Sequence, residues 1–206
     1  MKSSIQIICL VFLLISCKDV EPTASYAYEA KPHFSWGFAE FYGKYYQKYG
    51  VANNVLSMTL FSDSLTVSED GSLGGFGQTL YLEDILLPPT DTLLQEQIYI
   101  VSTSLQPFTI LPGRLDTIGD EVFPVGPSIS YYEKDPTKSV GKLIKSGYIS
   151  VSIQRDTIYS ILCNLTTSDN LRVIGTFSSV LYHIDKSAAS NARHNARILP
   201  LKNKYK

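Results

Sequence analysis

Hydrolysis by a nucleophile needs a serine or cysteine within hydrogen-bond reach of a base that a third group orients. The chain of 206 residues holds only three histidines, His33, His183 and His194, and three cysteines, Cys9, Cys17 and Cys163. No Gly-x-Ser-x-Gly elbow occurs, and Gly126-Pro127-Ser128 reads as a turn. Cys163 falls on the apolar side of an alternating run and reads as an inert core thiol. Metal binding wants clustered His, Cys or carboxylate at regular spacing, and neither H-E-x-x-H nor C-x-x-C is present. Glu83-Asp84 and Asp120-Glu121 read as solvated surface acids, because strand neighbours point to opposite faces. The glycines from Gly71 to Gly77 resemble a phosphate cradle in composition only. Such loops open a helix, whereas Gln78-Thr79-Leu80-Tyr81-Leu82 continues as strand. A hydrolase stays open in one form: two carboxylates ~5–9 Å apart cleave glycosides, and a β fold with nineteen acids can assemble such a pair.

Binding and modification fit the remaining residues better. Tyrosine and tryptophan faces stack on sugars, so Trp36 with Tyr42 and Tyr45, or the pair Tyr131-Tyr132, can supply a ligand platform; strand-face packing is the competing use of these rings. Four triplets recur: Asp63-Ser64-Leu65, Asp91-Thr92-Leu93, Asp116-Thr117-Ile118 and Asp156-Thr157-Ile158. They resemble the aspartate, Ser/Thr, aliphatic sequon for O-glycosylation in Bacteroidota, which marks Ser64, Thr92, Thr117 and Thr157 as expected glycan carriers. Turn formation ahead of a strand explains the same triplets equally well.

The N-terminus carries Lys2 and then an apolar run from Ile5 to Ile15, a signal-peptide core too short for the ~20 residues of a membrane span. Leu14-Ile15-Ser16-Cys17 behind it resembles a bacterial lipobox. The resemblance implies cleavage after Ser16 and a diacylglyceryl group on the Cys17 thiol, with the new amine acylated as well. Each buried methylene contributes ~0.8 kcal/mol, so two or three chains hold a protein on a membrane without any peptide anchor. Lys18 follows the cysteine where an aspartate resembles an inner-membrane retention signal, which favours the outer membrane. The lysine-then-acid pattern is similar to the export tag of surface lipoproteins in Bacteroidota, with Val20 interrupting the acids. With Cys9 removed and Cys17 lipidated, Cys163 has no disulfide partner, so stability has to come from core packing.

Charge is uneven along the chain. Residues 17–185 hold eleven Lys/Arg against nineteen Asp/Glu, whereas 186–206 hold six Lys/Arg and no acid. Six charges spread over that tail are too sparse for a nucleic-acid arm, so a solvated, partly disordered tail is expected and no nucleic-acid partner.

From Val55 onward the elements that would position these groups alternate with period two. Leu56-Met58-Leu60, Ile149-Val151-Ile153 and Tyr159-Ile161-Cys163-Leu165 alternate with Ser, Thr and Asn. Turn signals at Glu69-Asp70-Gly71, Pro88-Pro89-Thr90-Asp91, Gln154-Arg155-Asp156 and Ser168-Asp169-Asn170 separate them. Strands are expected near 41–48, 54–67, 76–86, 96–103, 107–111, 128–134, 143–154, 157–167 and 171–183. The result is an all-β domain, 39–185: a single antiparallel meander of about eight or nine strands, curled into a sandwich or closed into a barrel that removes its edges. Gly113 to Pro127 reads as an irregular crossing loop, 1–16 as signal peptide, 17–38 as a lipidated tether and 186–206 as the tail. Glycines 37 and 43 argue against a helix among the aromatics of 26–49.

Phe41-Tyr42-Gly43, Asn54, Gly75 and Gly77, Ser146 to Val151 and Ile174 to Phe177 together resemble a layout recurring in Bacteroidota outer-membrane lipoproteins. That resemblance transfers no enzymatic activity. It leads to the expectation of a lipid-anchored envelope protein that binds a glycan or protein partner without catalysis. The alternatives are a lipocalin-like carrier with an apolar cavity and a glycan-active hydrolase. No cofactor is expected besides the covalent lipid.

Overall fold

A computed structural model describes residues 29–68, 72–118, 120–132, 140–155 and 157–188. The expected signal peptide, Cys17 and nearly all of the basic tail lie outside those residues. The alternating runs become a barrel wall. It begins with β1 (His33–Phe34) and β2 (Trp36–Gly43), continues with β3 (Asn54–Phe61), and turns back as β6 (Gly77–Leu87). Between β3 and β6 the short hairpin β4 (Leu65–Val67) and β5 (Leu73–Gly75) folds out as a flap. Next come β7 (Ile98–Val101), β8 (Thr109–Ile110), the hairpin β9 (Arg114–Ile118) and β10 (Glu121–Val125), and β11 (Ser128–Tyr132). The long strands β12 (Val140–Gln154), β13 (Ile158–Thr167) and β14 (Arg172–Val180) follow, and β15 (Tyr182–Asp185) ends the sheet.

Most neighbours are antiparallel, the consecutive pairs β2–β3, β11–β12, β12–β13 and β13–β14 keep the expected meander, and the sheet closes on itself. Closure is parallel: His33 and Phe34 pair with Thr176 and Phe177, then Tyr182 to Asp185 pair with Phe38 to Phe41. First and last strands thus cover each other, and among the described residues no long edge of the wall is left to recruit another chain. Opposite this seam, β8 and β11 share one position beside β6, while β7 wedges in parallel to β8 and antiparallel to β12.

Several expectations are corrected. Residues 33–38 are wall, not tether, and the first long strand is Trp36–Gly43; Lys44 to Tyr49 instead turn away, ending in a 3₁₀ turn at Gln47–Tyr49. The alternation Trp36-Phe38-Glu40 against Gly37-Ala39 explains the placement, because Ala39 is fully buried and a Cβ on Gly37 would meet the Thr59 carbonyl at 2.5 Å. The supposed crossing loop 113–127 is the β9–β10 hairpin, which leaves the wall where Gly113 N donates to Ile144 O and Ile144 N donates to Pro127 O. Gly126 turns that corner at φ 93°, where an added Cβ would lie 3.0 Å from the Gly113 Cα, a conformation that strains any side chain. The strand expected over 54–67 breaks at Ser62, and the one over 171–183 breaks at Leu181.

Inside the wall, Phe34, Leu56, Met58, Leu80, Tyr99, Ile149, Cys163 and Phe177 belong to one buried apolar cluster. A second, smaller cluster lies outside the wall: the segment after β2 folds over β3 and β6 and buries Tyr45, Tyr46 and Val51 against Val55 and Leu86. Covering both faces of β6 explains why its last six residues are all buried.

Candidate functional site

The barrel end at which β6 finishes and β7 begins carries a recess. Its shape comes from residues 88–97. Asn54 Nδ2 donates to the carbonyls of Pro89 (3.1 Å) and Asp91 (2.8 Å), fixing that loop over the mouth while Leu94 is fully buried. Gln95 N donates to the Tyr99 hydroxyl at 2.8 Å, and the Tyr99 ring meets Phe108 edge-on at 5.7 Å. Glu96 Oε1 accepts from Ile153 N at 2.8 Å and Gln97 O accepts from Val151 N at 2.9 Å, so this segment extends β7 alongside β12. What remains open is a cleft of about 630 Å³ lined by Asp91, Gln95, Glu96, Gln97, Phe108 and Tyr159 among others. Leu93 separates it from a smaller recess of about 260 Å³ with Phe41, Thr92, His183 and Asp185.

The electrostatics of the mouth follow from burial. Desolvation pushes the Tyr99 phenol up to about 12, and raises Tyr159 as well. The His183 ring lies 5.7 Å from Tyr159, and the loss of water around it holds the imidazole below its ordinary value. Thr92, His183 and Asp185 are the residue types of a hydroxyl nucleophile, base and orienting acid, yet no hydrogen bond joins them. Asp185 Oδ1 instead accepts from Ser187 N at 2.8 Å, and the Ser187 hydroxyl first and this backbone N–H second hold its carboxyl below the ordinary value. The cleft therefore offers carboxylate and amide edges beside aromatic rings, and no aligned nucleophile and base.

The proposed aromatic platform does not assemble. Trp36 stacks on Phe61 at 3.9 Å and donates Nε1–H to Leu65 O at 3.1 Å, and Tyr132 donates to Leu73 O at 2.7 Å. Both hold the β4–β5 flap at the barrel end far from the mouth. Tyr131 lies half-buried beside Tyr132 on β11. Tyr42 and Tyr45 come together at the other end, rings 6.5 Å apart, but Tyr45 is in the second core and Tyr42 donates to Glu40 Oε2 at 2.9 Å. The packing use of these rings prevails because a small barrel needs large side chains on both faces of its most covered strands.

Ser64, Thr92, Thr117 and Thr157 are all exposed. Thr117 sits within β9 rather than in a turn, and Thr157 Oγ1 donates to Arg155 O at 3.2 Å. Cys163 is enclosed, and burial pushes its thiol up to about 12, which keeps it protonated and unreactive. The acids Glu83 and Asp84 are not surface groups: they are only 3% and 4% exposed. A bulge between Leu56 and Met58 breaks strict alternation there, Asp84 takes φ 56°, and its Oδ2 accepts the Tyr46 hydroxyl at 2.8 Å. Asp120 and Glu121 are exposed. Among the described residues, no three His, Cys, Asp or Glu side chains converge on a metal-sized site.

From the sequence, Glu96 and Phe108 carry no reading as ligand contacts, Asp91 reads as a turn and triplet residue, and Tyr159 as one side of an alternating strand. The one signal for them was the polar triplet Gln95-Glu96-Gln97 ahead of a strand. Fold and cleft together define a small closed β-barrel with a polar, aromatic-edged mouth. No family model, curated protein or solved structure matches the chain.

Proposed function

We propose that the chain is a lipid-anchored outer-membrane protein, held by acyl chains on Cys17, whose barrel binds a glycan at its mouth without acting on it. The carrying observation is the composition of the 630 Å³ cleft, where Asp91, Glu96, Gln95 and Gln97 flank the rings of Phe108 and Tyr159. Planar carboxylates and amides pair with adjacent sugar hydroxyls, and a ring edge or face covers the C–H side of a pyranose. Phe34, Tyr99 and Phe177 fill the interior among the other core side chains, which weighs against the carrier reading, since that reading needs an apolar cavity of several hundred Å³. A protein partner in the envelope remains the second occupant compatible with such a mouth.

Support for the anchor is the Leu14-Ile15-Ser16-Cys17 resemblance together with a folded domain that begins within about a dozen residues of it. Replacing Cys17 by alanine is expected to abolish palmitate incorporation and release the protein from membranes; continued labelling would defeat that half of the reading. For the mouth, the full-length chain is screened on a glycan array, and Asp91→Asn with Gln97→Ala is expected to remove whatever the parent retains. A parent that retains no glycan refutes the glycan reading, and release of cleaved sugar from a bound oligosaccharide replaces it with the hydrolase.

A further inference from the structure

The end of the barrel opposite the mouth has its own character. Here the chain enters: Ile174 N donates to Ala30 O at 2.8 Å, and the Glu29 carbonyl lies 3.5 Å from Gln78 Nε2, so residues 29–32 cross the barrel end from β14 to the start of β6. Four large apolar side chains stand in water at this end. They are Val67 on the flap, Phe76 between the flap and β6, Val140 at the start of β12 and Leu171 in the turn before β14. Phe76 is 60% exposed and only two residues from Gln78, beside the point where the chain arrives. Lys31 and Arg172, both exposed, flank the same crossing.

We infer that this end of the barrel docks on the lipid surface, with Phe76 and Leu171 entering the headgroup layer and the mouth facing away from the membrane. The inference rests on the anchoring reading. From Cys17 to Glu29 the chain has twelve Cα steps and so reaches at most about 43 Å, and it joins the barrel at this end, where Ile174 N donates to Ala30 O. Exposed aromatic and aliphatic groups next to cations are what an interfacial surface requires: the apolar parts enter the acyl boundary while lysine and arginine meet anionic headgroups. Lipidation and docking then act together, since the tether converts a weak surface contact into an intramolecular one.

The test uses the lipidated full-length chain with one added thiol, Phe76→Cys, Leu171→Cys or Thr92→Cys, each labelled with an environment-sensitive fluorophore. Cys163 is buried and Cys17 is blocked by lipid, so labelling is confined to the new site. Vesicles are phosphatidylethanolamine with phosphatidylglycerol, with and without nitroxide-labelled lipid. Docking predicts blue-shifted emission and nitroxide quenching at positions 76 and 171 and neither at 92. Protein that floats with the vesicles while all three labels report water overturns the docking and leaves the anchor standing. Failure to float overturns both. A blue shift at 76 or 171 before vesicles are added assigns the surface to a second copy of the chain and overturns the lipid assignment.

Discussion

The contact between Tyr46 and Asp84 ties the covering segment to the wall, and its removal has a calculable effect. Tyr46 is fully buried in the second core and its hydroxyl donates to Asp84 Oδ2 at 2.8 Å. Tyr46→Phe keeps the ring and leaves a buried carboxyl oxygen without that donor, a loss of about 2 kcal/mol. At about 2–4 °C per kcal/mol for a domain of this size, the melting midpoint falls by about 4–8 °C. Tyr46→Ala also opens a ring-sized void and costs about 3–5 kcal/mol. Asp84 sits at φ 56°, a conformation asparagine tolerates and alanine resists by about 1–2 kcal/mol. Asp84→Asn, which keeps both acceptor and backbone, is therefore expected to cost under about 1 kcal/mol, and Asp84→Ala about 3 kcal/mol. The assay is thermal and urea unfolding by circular dichroism of the full-length chain in a Cys17→Ser background. A Tyr46→Phe midpoint equal to the parent's would show that the contact contributes nothing, and Asp84→Asn as damaging as Asp84→Ala would overturn the account of the bulge.

Alkaline pH should weaken the fold. Cys163 and Tyr99 have ordinary values of 9.0 and 10.0 and are pushed to about 12 by burial, so the folded state keeps protons that the unfolded state releases. Their contribution is complete below pH 9 and lost as pH rises toward 12; Cys163→Ala should flatten the onset near pH 9, as urea midpoints against pH will show. Ellman's reagent should leave Cys163 unmodified at pH 8 in the folded chain carrying Cys9→Ser and Cys17→Ser and react with it in urea, and rapid reaction without denaturant would contradict its burial. At Gly147, φ is 117° and a Cβ would lie 2.2 Å from the Asn164 carbonyl, so Gly147→Ala should cost more than about 3 kcal/mol, with near-UV dichroism lost or the protein failing to accumulate. Replacing Ser64, Thr92, Thr117 and Thr157 by alanine should lower the intact mass of protein from its native host by more than the side-chain atoms removed if the exposed triplets carry glycans; a fall equal to those atoms leaves them as turn and strand formers.

Period-two alternation in this chain was enough to place most of the wall. Leu56-Met58-Leu60 and Ile161-Cys163-Leu165 lie in the interior because successive strand residues face opposite ways, and that geometry is local. Turn residues marked the 154–158 and 168–171 connections for the same reason, since their chemistry acts within four residues. Two kinds of information were not local. The flap and the β9–β10 hairpin follow from glycine corners that are meaningful only against the strand they meet, Gly126 against Gly113 for example. Burial of Glu83, Asp84 and Tyr46, and with it the packing of Tyr45 into a second core, depends on a segment from the β2–β3 connection lying across β6. The mouth is likewise made by closure, which sets Asp91 and Glu96 beside Phe108, Ile153 and Tyr159 from other parts of the chain. Sequence by itself determined which residues form strands and which faces are apolar, because propensity and alternation are properties of neighbours. Only the tertiary structure decided where the barrel closes, which acids are buried and which end is open, because those depend on contacts between residues far apart in the chain, such as His33 with Thr176, 143 positions on.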